Sequence, residues 1–428
     1  MRMEIPSQKE PTKNSVAGTW AESFDVAIAG GGLVGLASAE ALAQAGFRVL
    51  ALEANPPQVA AQSAYDDRTL VVGAASRHFW QNLGIWPQLA EEAEAITSVH
   101  VSQRGRFGSA LFRAGELGVE ALGHVVEARR LGLALLQRVQ ENPRITWLSP
   151  ARLKEFDAKG SGDKAGVRLA FEHRDQQHTA QAGVLLAADG ALSPIRARLG
   201  LEARAHDYGK TAVICNVSTE LAHNGHAFER LTSDGPVAML PFRGGRCGFV
   251  WSMPRQQAES LMGADDLTFL QQAQARFGYR LGRFTRVGKR SSYPLHRIEV
   301  PQQVAPGVVL IGNAAHTLSP VSAQGLNLAV RDIAQLVETL KMARSTKRAL
   351  GDPAVLADYQ RARAPDQRAT LQYTDDLMRW FAIESFPVPS LRSAAILATG
   401  AFPALQARLF RHGSGFRGQV PPLLRPVW

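Results

Sequence analysis

The sequence predicts an α/β protein in which a parallel nucleotide-binding sheet is interleaved with a second, mostly β domain and followed by C-terminal helices. Three observations predict it. The apolar run Phe24-Asp25-Val26-Ala27-Ile28-Ala29 leads directly into Gly30-Gly31-Gly32-Leu33-Val34-Gly35, the order strand, tight turn, helix. Two more strand-to-turn junctions, Ala188-Asp189-Gly190 and Gly312-Asn313-Ala314-Ala315-His316, stand far along the chain. Between them, from about Ala205 to Val300, the pattern becomes strand-like, and beyond Gln324 it turns helical.

The first junction carries the clearest chemistry. Gly30 permits the turn, Gly32 lets backbone approach a pyrophosphate, and Gly35 lets the helix pack closely on the strand. Phosphates then face the free N–H groups at a helix N-terminus, beside Leu33 and Val34. The helix ends at Gly46, and a second strand, Phe47 to Leu52, closes on Glu53. A carboxylate there, about twenty residues past the glycines, suits ribose hydroxyls and repels a 2′-phosphate, so the nucleotide is expected to be FAD or NAD.

Further along, a helix is expected through Arg77 to Leu83, a strand at Val99 to Gln103, and a helix over Val125 to Val139 followed by a strand at Ile145 to Leu148. Arg168 to Phe171 and Thr179 to Ala187 read as a hairpin with Glu172 to Gln177 as its tip. Thr211 to Thr219, Val237 to Pro241 and Cys247 to Met253 read as strands, with a helix from Leu267 to Phe277. Val308 to Ile311 is again a buried strand, and long helices follow over Gln324 to Ala343, Ala354 to Phe381 and Ser390 to Phe410, the last broken at Gly400 and Pro403. The expected division is a disordered leader at 1–23, a nucleotide-binding domain from 24–98, 126–204 and 301–345, a substrate domain from 99–125 and 205–300, and a helical region with a basic tail at 346–428.

The 428 residues exceed one core, so two linked domains are expected. Two cysteines, Cys215 and Cys247, are too few for a disulfide framework or a metal site, so any redox chemistry needs a bound cofactor and a reducing, cytoplasmic setting is expected. No window has the roughly eighteen apolar residues of a membrane span. The net charge of +10 suits an anionic membrane surface, including the inner face of the cytoplasmic membrane. No interleaved basic and aromatic module points to nucleic acid. From Leu391 to Trp428 there is no acidic residue, while Arg392, Arg408, Arg411, Arg417 and Arg425 alternate with apolar side chains.

Each later junction adds a contact for the same nucleotide. The Asp189-Gly190 turn can orient N–H groups and arginines around a pyrophosphate. Asn313 offers an amide to a ribitol hydroxyl, and Gln324-Gly325-Leu326-Asn327 starts a helix whose N-terminus would stabilise the negative charge of a reduced flavin. Taken together, the three junctions resemble the FAD-dependent aromatic hydroxylases related to para-hydroxybenzoate hydroxylase, and within them the ubiquinone-biosynthesis hydroxylases. Tyr65-Asp66-Asp67-Arg68-Thr69, Leu83-Gly84-Ile85-Trp86, Ala121-Leu122-Gly123-His124-Val125-Val126-Glu127 and Gly312-Asn313-Ala314-Ala315 are similar to the branch acting on 2-polyprenyl-6-methoxyphenol. Asn313 departs from the Gly-Asp usual in the wider family.

The resemblance implies a Rossmann-like FAD-binding domain, with NAD(P)H as a transient reductant and oxygen transferred to the ring of a prenylated phenol. It also implies that Arg68 and Arg129 lie near the cofactor, that the Asp189-Gly190 segment serves both nucleotides, and that the Pro320 loop lines the reacting face. His316 and His124 are candidate acid–base residues, with His296, Tyr208 and Tyr293 as further proton-route candidates. A complex with other ubiquinone-synthesis proteins is a further expected partner. Alternatives are a sibling hydroxylase acting at another ring carbon, an FAD-dependent isoprenoid reductase, and a non-catalytic subunit that keeps a flavin fold to help assemble a lipid-synthesis complex.

Overall fold

The computed structural model describes residues 19–55, 68–159, 166–319, 323–383, 385–416 and 419–426. Of the expected leader at 1–23, residues 1–18 lie outside the described residues, as do Pro320 and the stretch Tyr65 to Asp67. The rest corrects the expectation, since Thr19 to Ser23 belong to the strand Thr19–Ala29, where Ser23 pairs with Gln181.

One eight-stranded sheet has the spatial order Val304–Ala305, Val308–Leu310, Gln176–Ala187, Thr19–Ala29, Val49–Leu52, Ile145–Leu148. The last five of these run parallel. Val26, Ala27, Ile28, Leu185 and Val309 are buried, as expected for strands covered on both faces. The strand Gln176–Ala187 also pairs antiparallel with Gly166–His173, which pairs with Ala151–Lys159. That hairpin turns tightly at Arg174 and Asp175, both at positive φ, as a two-residue hairpin loop requires.

The helix Leu33–Gln44 packs on this sheet with nine successive residues buried, Gly35 to Ala43. Glu40 among them is satisfied by Arg138 Nη2 at 3.1 Å, Gln44 Nε2 at 2.9 Å and Asn142 Nδ2 at 3.0 Å. A buried carboxylate is tolerated only with such partners, and these tie the first helix to Ala128–Glu141.

A nine-stranded sheet forms the second layer. Its path runs His316–Thr317, Ser291–Glu299, Arg204–Thr219, Arg246–Pro254, Val237–Phe242, His226–Leu231, Ser98–Gln103, Ser109–Arg113, with Phe284–Val287 beside Arg204–Thr219. Val213, Cys215, Met239, Phe249 and Trp251 point to one face, where they pack with Phe269 and Phe277 of the helix Asp266–Phe277.

Thr69–Val72, Gly123–Glu127 and Glu94–Ile96 make a small third sheet. This corrects the helical expectation for Val125 to Glu127: those residues pair with Leu70, Val71 and Thr69, and the helix begins at Ala128 with Glu127 as its N-cap. It also places Gly123 to Val125 outside the nine-stranded sheet, whereas His316 and Thr317 join that sheet through Glu299 and Ile298.

The expected helix break at Gly400 is absent. Val388–Ala401 runs through it and stops before Pro403. A Cβ at Gly400 would meet the Ser109 carbonyl oxygen at 2.9 Å, so this glycine serves close packing on a strand. Arg392, counted in sequence among the basic tail residues suited to an anionic surface, is buried instead, donating to the Trp380 carbonyl at 2.6 Å and to Gln103 Oε1 at 3.3 Å.

Candidate functional site

Strand register brings the three junctions together. Leu52, Ala29, Ala187 and Leu310 pair side by side across four adjacent parallel strands. Glu53, Gly30, Ala188 and Ile311 therefore leave the sheet along one edge, at its carboxyl ends, where open α/β sheets hold ligands.

Contacts between the junctions are close. Gly30 has φ +113°, and a Cβ there would fall 2.3 Å from the Ala188 carbonyl oxygen; a Cβ on Gly35 would fall 1.9 Å from the Gly30 oxygen. Gly312, at φ +59°, abuts Val34 of the first helical turn, where an added Cβ would sit 3.0 Å from Cγ1. Arg196 staples the second junction to the third, donating to the Ala191 carbonyl at 2.8 Å and the Ala314 carbonyl at 3.0 Å.

Beside these crowded glycines are open ones. A Cβ at Gly32, Gly190 or Gly325 would meet nothing within 4 Å. The helices Leu33–Gln44 and Gln324–Ser345 start at Gly32 and Ala323 with no side-chain cap and no acidic residue in the first turn, leaving N–H donors for anionic oxygens. Asp189 uses Oδ2 on the Ile195 N–H at 3.2 Å, while its buried Oδ1 has no partner among the described residues. Glu53 accepts from the N–H groups of Gly31 at 2.5 Å and Asn55 at 2.7 Å. Asn313 is exposed at the rim. An open glycine cradle, two uncapped helix ends and an orphaned carboxylate oxygen fit a dinucleotide such as FAD.

Arg68 and Arg129 are brought near one another, since the Ala128 N–H donates to the Arg68 carbonyl at 2.9 Å. The Arg68 guanidinium lies over the Tyr293 ring of the second sheet, 5.4 Å from its centroid. Arg129 is half-buried, with Nη2 3.7 Å from Glu127. Gly132, one turn further along its helix, lies against Leu33.

Other expected site residues have different surroundings. Asn327 is fully engaged by protein: Oδ1 accepts from the Gly73 N–H at 2.9 Å, and Nδ2 donates to Val71 at 2.9 Å and Ala323 at 2.8 Å. It clips the long helix to the small sheet. Gln324 donates to the Gly413 carbonyl at 3.3 Å, and Leu326 packs against the main core.

His316 is 1% exposed, with Nε2 2.5 Å from Asp332 Oδ2. Asp332 also accepts from Arg363 Nε at 2.5 Å and Gln367 Nε2 at 3.0 Å. Burial alone would raise the Asp332 pKa, but Arg363 and His316 outweigh it and hold it at about 2. The candidate acid–base histidine is thus an anchor for the loop after Gly312.

His124 stacks edge-on against Trp86, 5.0 Å between centroids. Burial, then the charge of Arg77, pushes its pKa down to about 4. Its neighbour Val125 packs toward Phe242 of the nine-stranded sheet, so alternation turns His124 away from that sheet. Tyr208 donates to Asp375 Oδ1 at 2.9 Å, and burial followed by that bond raises its pKa. Asp375 is in turn held by Arg297 and Arg379 at 3.2 and 3.0 Å. His296 sits at the surface, 3.8 Å from Asp207.

The second face of the nine-stranded sheet turns toward the cradle. Thr69 sits directly on Gly248, whose added Cβ would come within 2.6 Å of Thr69 Oγ1. Ser319 contacts Met378 of the helix Pro353–Ala382, and Met378 packs with Leu295 and Ala212 beside Ile214 and Val250. On this face Val99, Val101, Ile214, Ala238, Leu240 and Val250 are only half-buried, in contrast to the sealed opposite face. This face therefore keeps a half-buried apolar surface beside Ser319 and Met378.

Comparison with known proteins agrees with this geometry. The "FAD binding domain" family model matches residues 23–374. The ubiquinone hydroxylase UbiL of Rhodospirillum rubrum is 34% identical over 413 residues, covering 96% of this chain and 94% of the relative. The 3-demethoxyubiquinol 3-hydroxylase of Escherichia coli K12 is 29% identical, covering 91% and 98% respectively. Among solved structures, p-nitrophenol 4-monooxygenase PnpA of Pseudomonas putida DLL-E4 superposes with a TM-score of 0.74 at 19% identity, covering 94% of this chain and all of that one, which establishes a shared fold. The chain belongs to the FAD-binding-domain family, within the FAD-dependent ubiquinone-biosynthesis hydroxylases, and is an FAD-dependent monooxygenase that uses NAD(P)H, the reductant typical of that family.

Proposed function

We infer that the protein hydroxylates the aromatic ring of a prenylated phenol, 2-polyprenyl-6-methoxyphenol, in ubiquinone biosynthesis. The half-buried apolar face of the nine-stranded sheet, set against the cofactor edge, carries this reading. When bound and reduced by NAD(P)H, the flavin supplies an activated oxygen atom from dioxygen.

The chain's own residues supply the rest. Gly32 and the helix end at Leu33 receive the pyrophosphate, with Arg68, Arg129 and the Asp189-Gly190 turn around it, and Glu53 takes the adenosine ribose. Asn313 holds the ribitol. The uncapped helix end at Gln324-Gly325 stabilises negative charge on the ring system. Val99, Val101, Ile214, Leu240 and Val250 give the ring and its prenyl chain an apolar, water-poor seat. The Rhodospirillum and Escherichia relatives, named for hydroxylation of ubiquinone or its demethoxy precursor, support the substrate class.

Lipid substrates enter from a bilayer, and the surface suits one. Trp380, Ile383, Phe386, Leu391 and Phe402 are exposed, and Phe107 is 67% exposed in a turn that lies against Leu397. Arg408, Arg411 and Arg425 follow with no acidic residue beyond position 384. An exposed apolar strip beside a basic tail matches an anionic membrane surface. Among the described residues no helix is long and apolar enough to cross a membrane. Supplying the purified holoenzyme with prenylated phenols at successive stages of ring substitution, and identifying each product, tests the assignment. Hydroxylation of 2-prenyl-6-methoxyphenol supports it; turnover only of a more substituted ring moves the enzyme to a sibling step.

A further inference from the structure

Across the half-buried apolar face one row of side chains can be followed through six strands by register alone. Ile214 pairs with Val250, Val250 with Ala238, Ala238 with Glu229, Glu229 with Val101, and Val101 with Ala110. Five members of the row are aliphatic. Glu229 is the exception.

An isolated carboxylate in such a row is costly, and buried charges are normally paired. Glu40, Asp332 and Asp366 are each paired or hydrogen-bonded. Glu229 has no hydrogen bond or ion pair among the described residues, and burial raises its pKa to about 7. It is nevertheless only half-buried. Its carboxylate therefore keeps a reachable surface on this half-buried apolar face rather than being sealed in solid core.

Its surroundings leave the carboxylate open to a ligand. From the neighbouring strands only Val101 and Ala238 face it. From the helix Pro353–Ala382, Tyr373 lies close enough for its own pKa to be raised by burial and then by Glu229, which keeps the phenol neutral. Arg392, from the helix Val388–Ala401, sits one row away on Gln103, the partner of Leu231. No charged neighbour contributes to the behaviour of Glu229 itself.

We propose that Glu229 is a catalytic residue that accepts the phenolic proton of the substrate while the ring is hydroxylated. This rests on the reading of the protein as a phenol hydroxylase. As the ring carbon bonds to the incoming oxygen, the O–O bond that carried it breaks with its electron pair staying on the outgoing oxygen, while the phenolic O–H bond breaks, its electron pair flows into the ring, and the proton passes to a Glu229 oxygen. The hydroxylated ring carbon then loses its hydrogen as a proton, which goes to the outgoing oxygen on its way to water, and the phenolic oxygen regains a proton from Glu229, which returns to the carboxylate. No net proton stays on the protein. A base with a pKa near the working pH is the effective kind, and the apolar row raises an ordinary carboxylate into that range.

The test compares Glu229→Gln and Glu229→Asp holoenzymes with the wild type, using a short-chain 2-prenyl-6-methoxyphenol as probe. Equal flavin content per chain verifies folding. Two readouts follow: perturbation of the bound flavin's visible spectrum on probe binding, and hydroxylated product formed per second. A phenol donating to a carboxylate is held more tightly than one beside a neutral carboxyl, so wild-type affinity rises about fivefold as pH passes through neutrality. The glutamine variant shows no such rise. Its kcat falls about 100-fold or more with KM little changed, and the aspartate variant recovers part of the loss. Wild-type turnover with an unaltered pH profile and full product formation by Glu229→Gln overturns the proposal alone. A wild type that binds the probe but forms no hydroxylated product overturns the phenol-hydroxylase reading, and this proposal with it.

Discussion

Gly35 and Gly32 lie in the same motif, yet the structure gives them separable jobs. In Gly35→Ala the new Cβ would fall 1.9 Å from the Gly30 carbonyl oxygen, a backbone atom fixed between Leu52 and Ala188. Restoring contact distance moves the helix or the turn by more than about 1 Å. Overpacking of this kind costs about 1–3 kcal/mol, which exceeds the gain of up to about 1 kcal/mol from replacing a helical glycine with alanine. In Gly32→Ala nothing lies within 4 Å of the added carbon, and the backbone, at φ −70° and ψ −179°, accepts alanine. The methyl then occupies only the open space proposed above for the pyrophosphate. Gly35→Ala is expected to lower the thermal midpoint of flavin-stripped protein and weaken FAD binding. Gly32→Ala is expected to leave that midpoint within about a degree or two while weakening FAD at least about tenfold, or about 1.4 kcal/mol. Calorimetry of apoprotein and quenching of free FAD fluorescence measure the two effects. The reasoning fails if Gly35→Ala changes neither quantity, or if Gly32→Ala destabilises the apoprotein as much as Gly35→Ala does.

Other expectations follow from the same contacts. Asp332→Asn removes the buried carboxylate that Arg363 and His316 share, leaving Arg363 with Asp366 alone, and is expected to cost about 3–5 kcal/mol in chemical denaturation. Because the Asp332 pKa is held at about 2, below its ordinary 3.8, its stabilisation is present above about pH 4 and is lost as pH falls through about 2; the variant should lose that part of the acid transition. Arg196→Ala removes both bonds between the second and third junctions and is expected to weaken FAD about tenfold, while circular dichroism stays that of the wild type. His124, lowered to about 4 from 6.5 by burial and then by Arg77, should remain neutral at pH 5 by nuclear magnetic resonance titration. Its contribution to stability is complete above about 6.5 and is lost as pH falls toward 4, and His124→Gln removes that dependence.

Much of the cradle was legible because its requirements fall on short stretches of sequence. An apolar strand, a glycine where φ is positive, and a glycine where the helix meets backbone are all local features, and Gly30, Gly35 and Gly312 meet them. Gly32, Gly190 and Gly325 were also read from their motifs, but the open space beside each is a property of the assembled edge. The small sheet was hidden for another reason. Thr69–Val72 and Glu94–Ile96 are three or four residues long, and Val125 to Glu127 continues the helical period of the residues that follow.

Side-chain partners were the least legible part. His316 has the composition of an acid–base residue, but its role depends on Asp332 sixteen positions later and on Arg363 from another helix. Asn327 looked like a cofactor ligand because it follows Gly325 at the helix start; its amide is consumed by Gly73 and Val71, more than 250 residues away in sequence. Glu229 carried a faint local signal, a charge on a strand between apolar Ala227 and Leu231. Nothing in the sequence says that the strands on either side place Val101 and Ala238 against it.

The claim on which everything else depends is transfer of one oxygen atom from dioxygen to the ring of a prenylated phenol held beside FAD. Turnover of 2-prenyl-6-methoxyphenol by the holoenzyme under isotopically labelled dioxygen, with NAD(P)H, tests it by mass spectrometry of the product. One labelled oxygen on the ring, matched by one NAD(P)H consumed, is the expected result. NAD(P)H consumption that leaves the phenol unlabelled contradicts it.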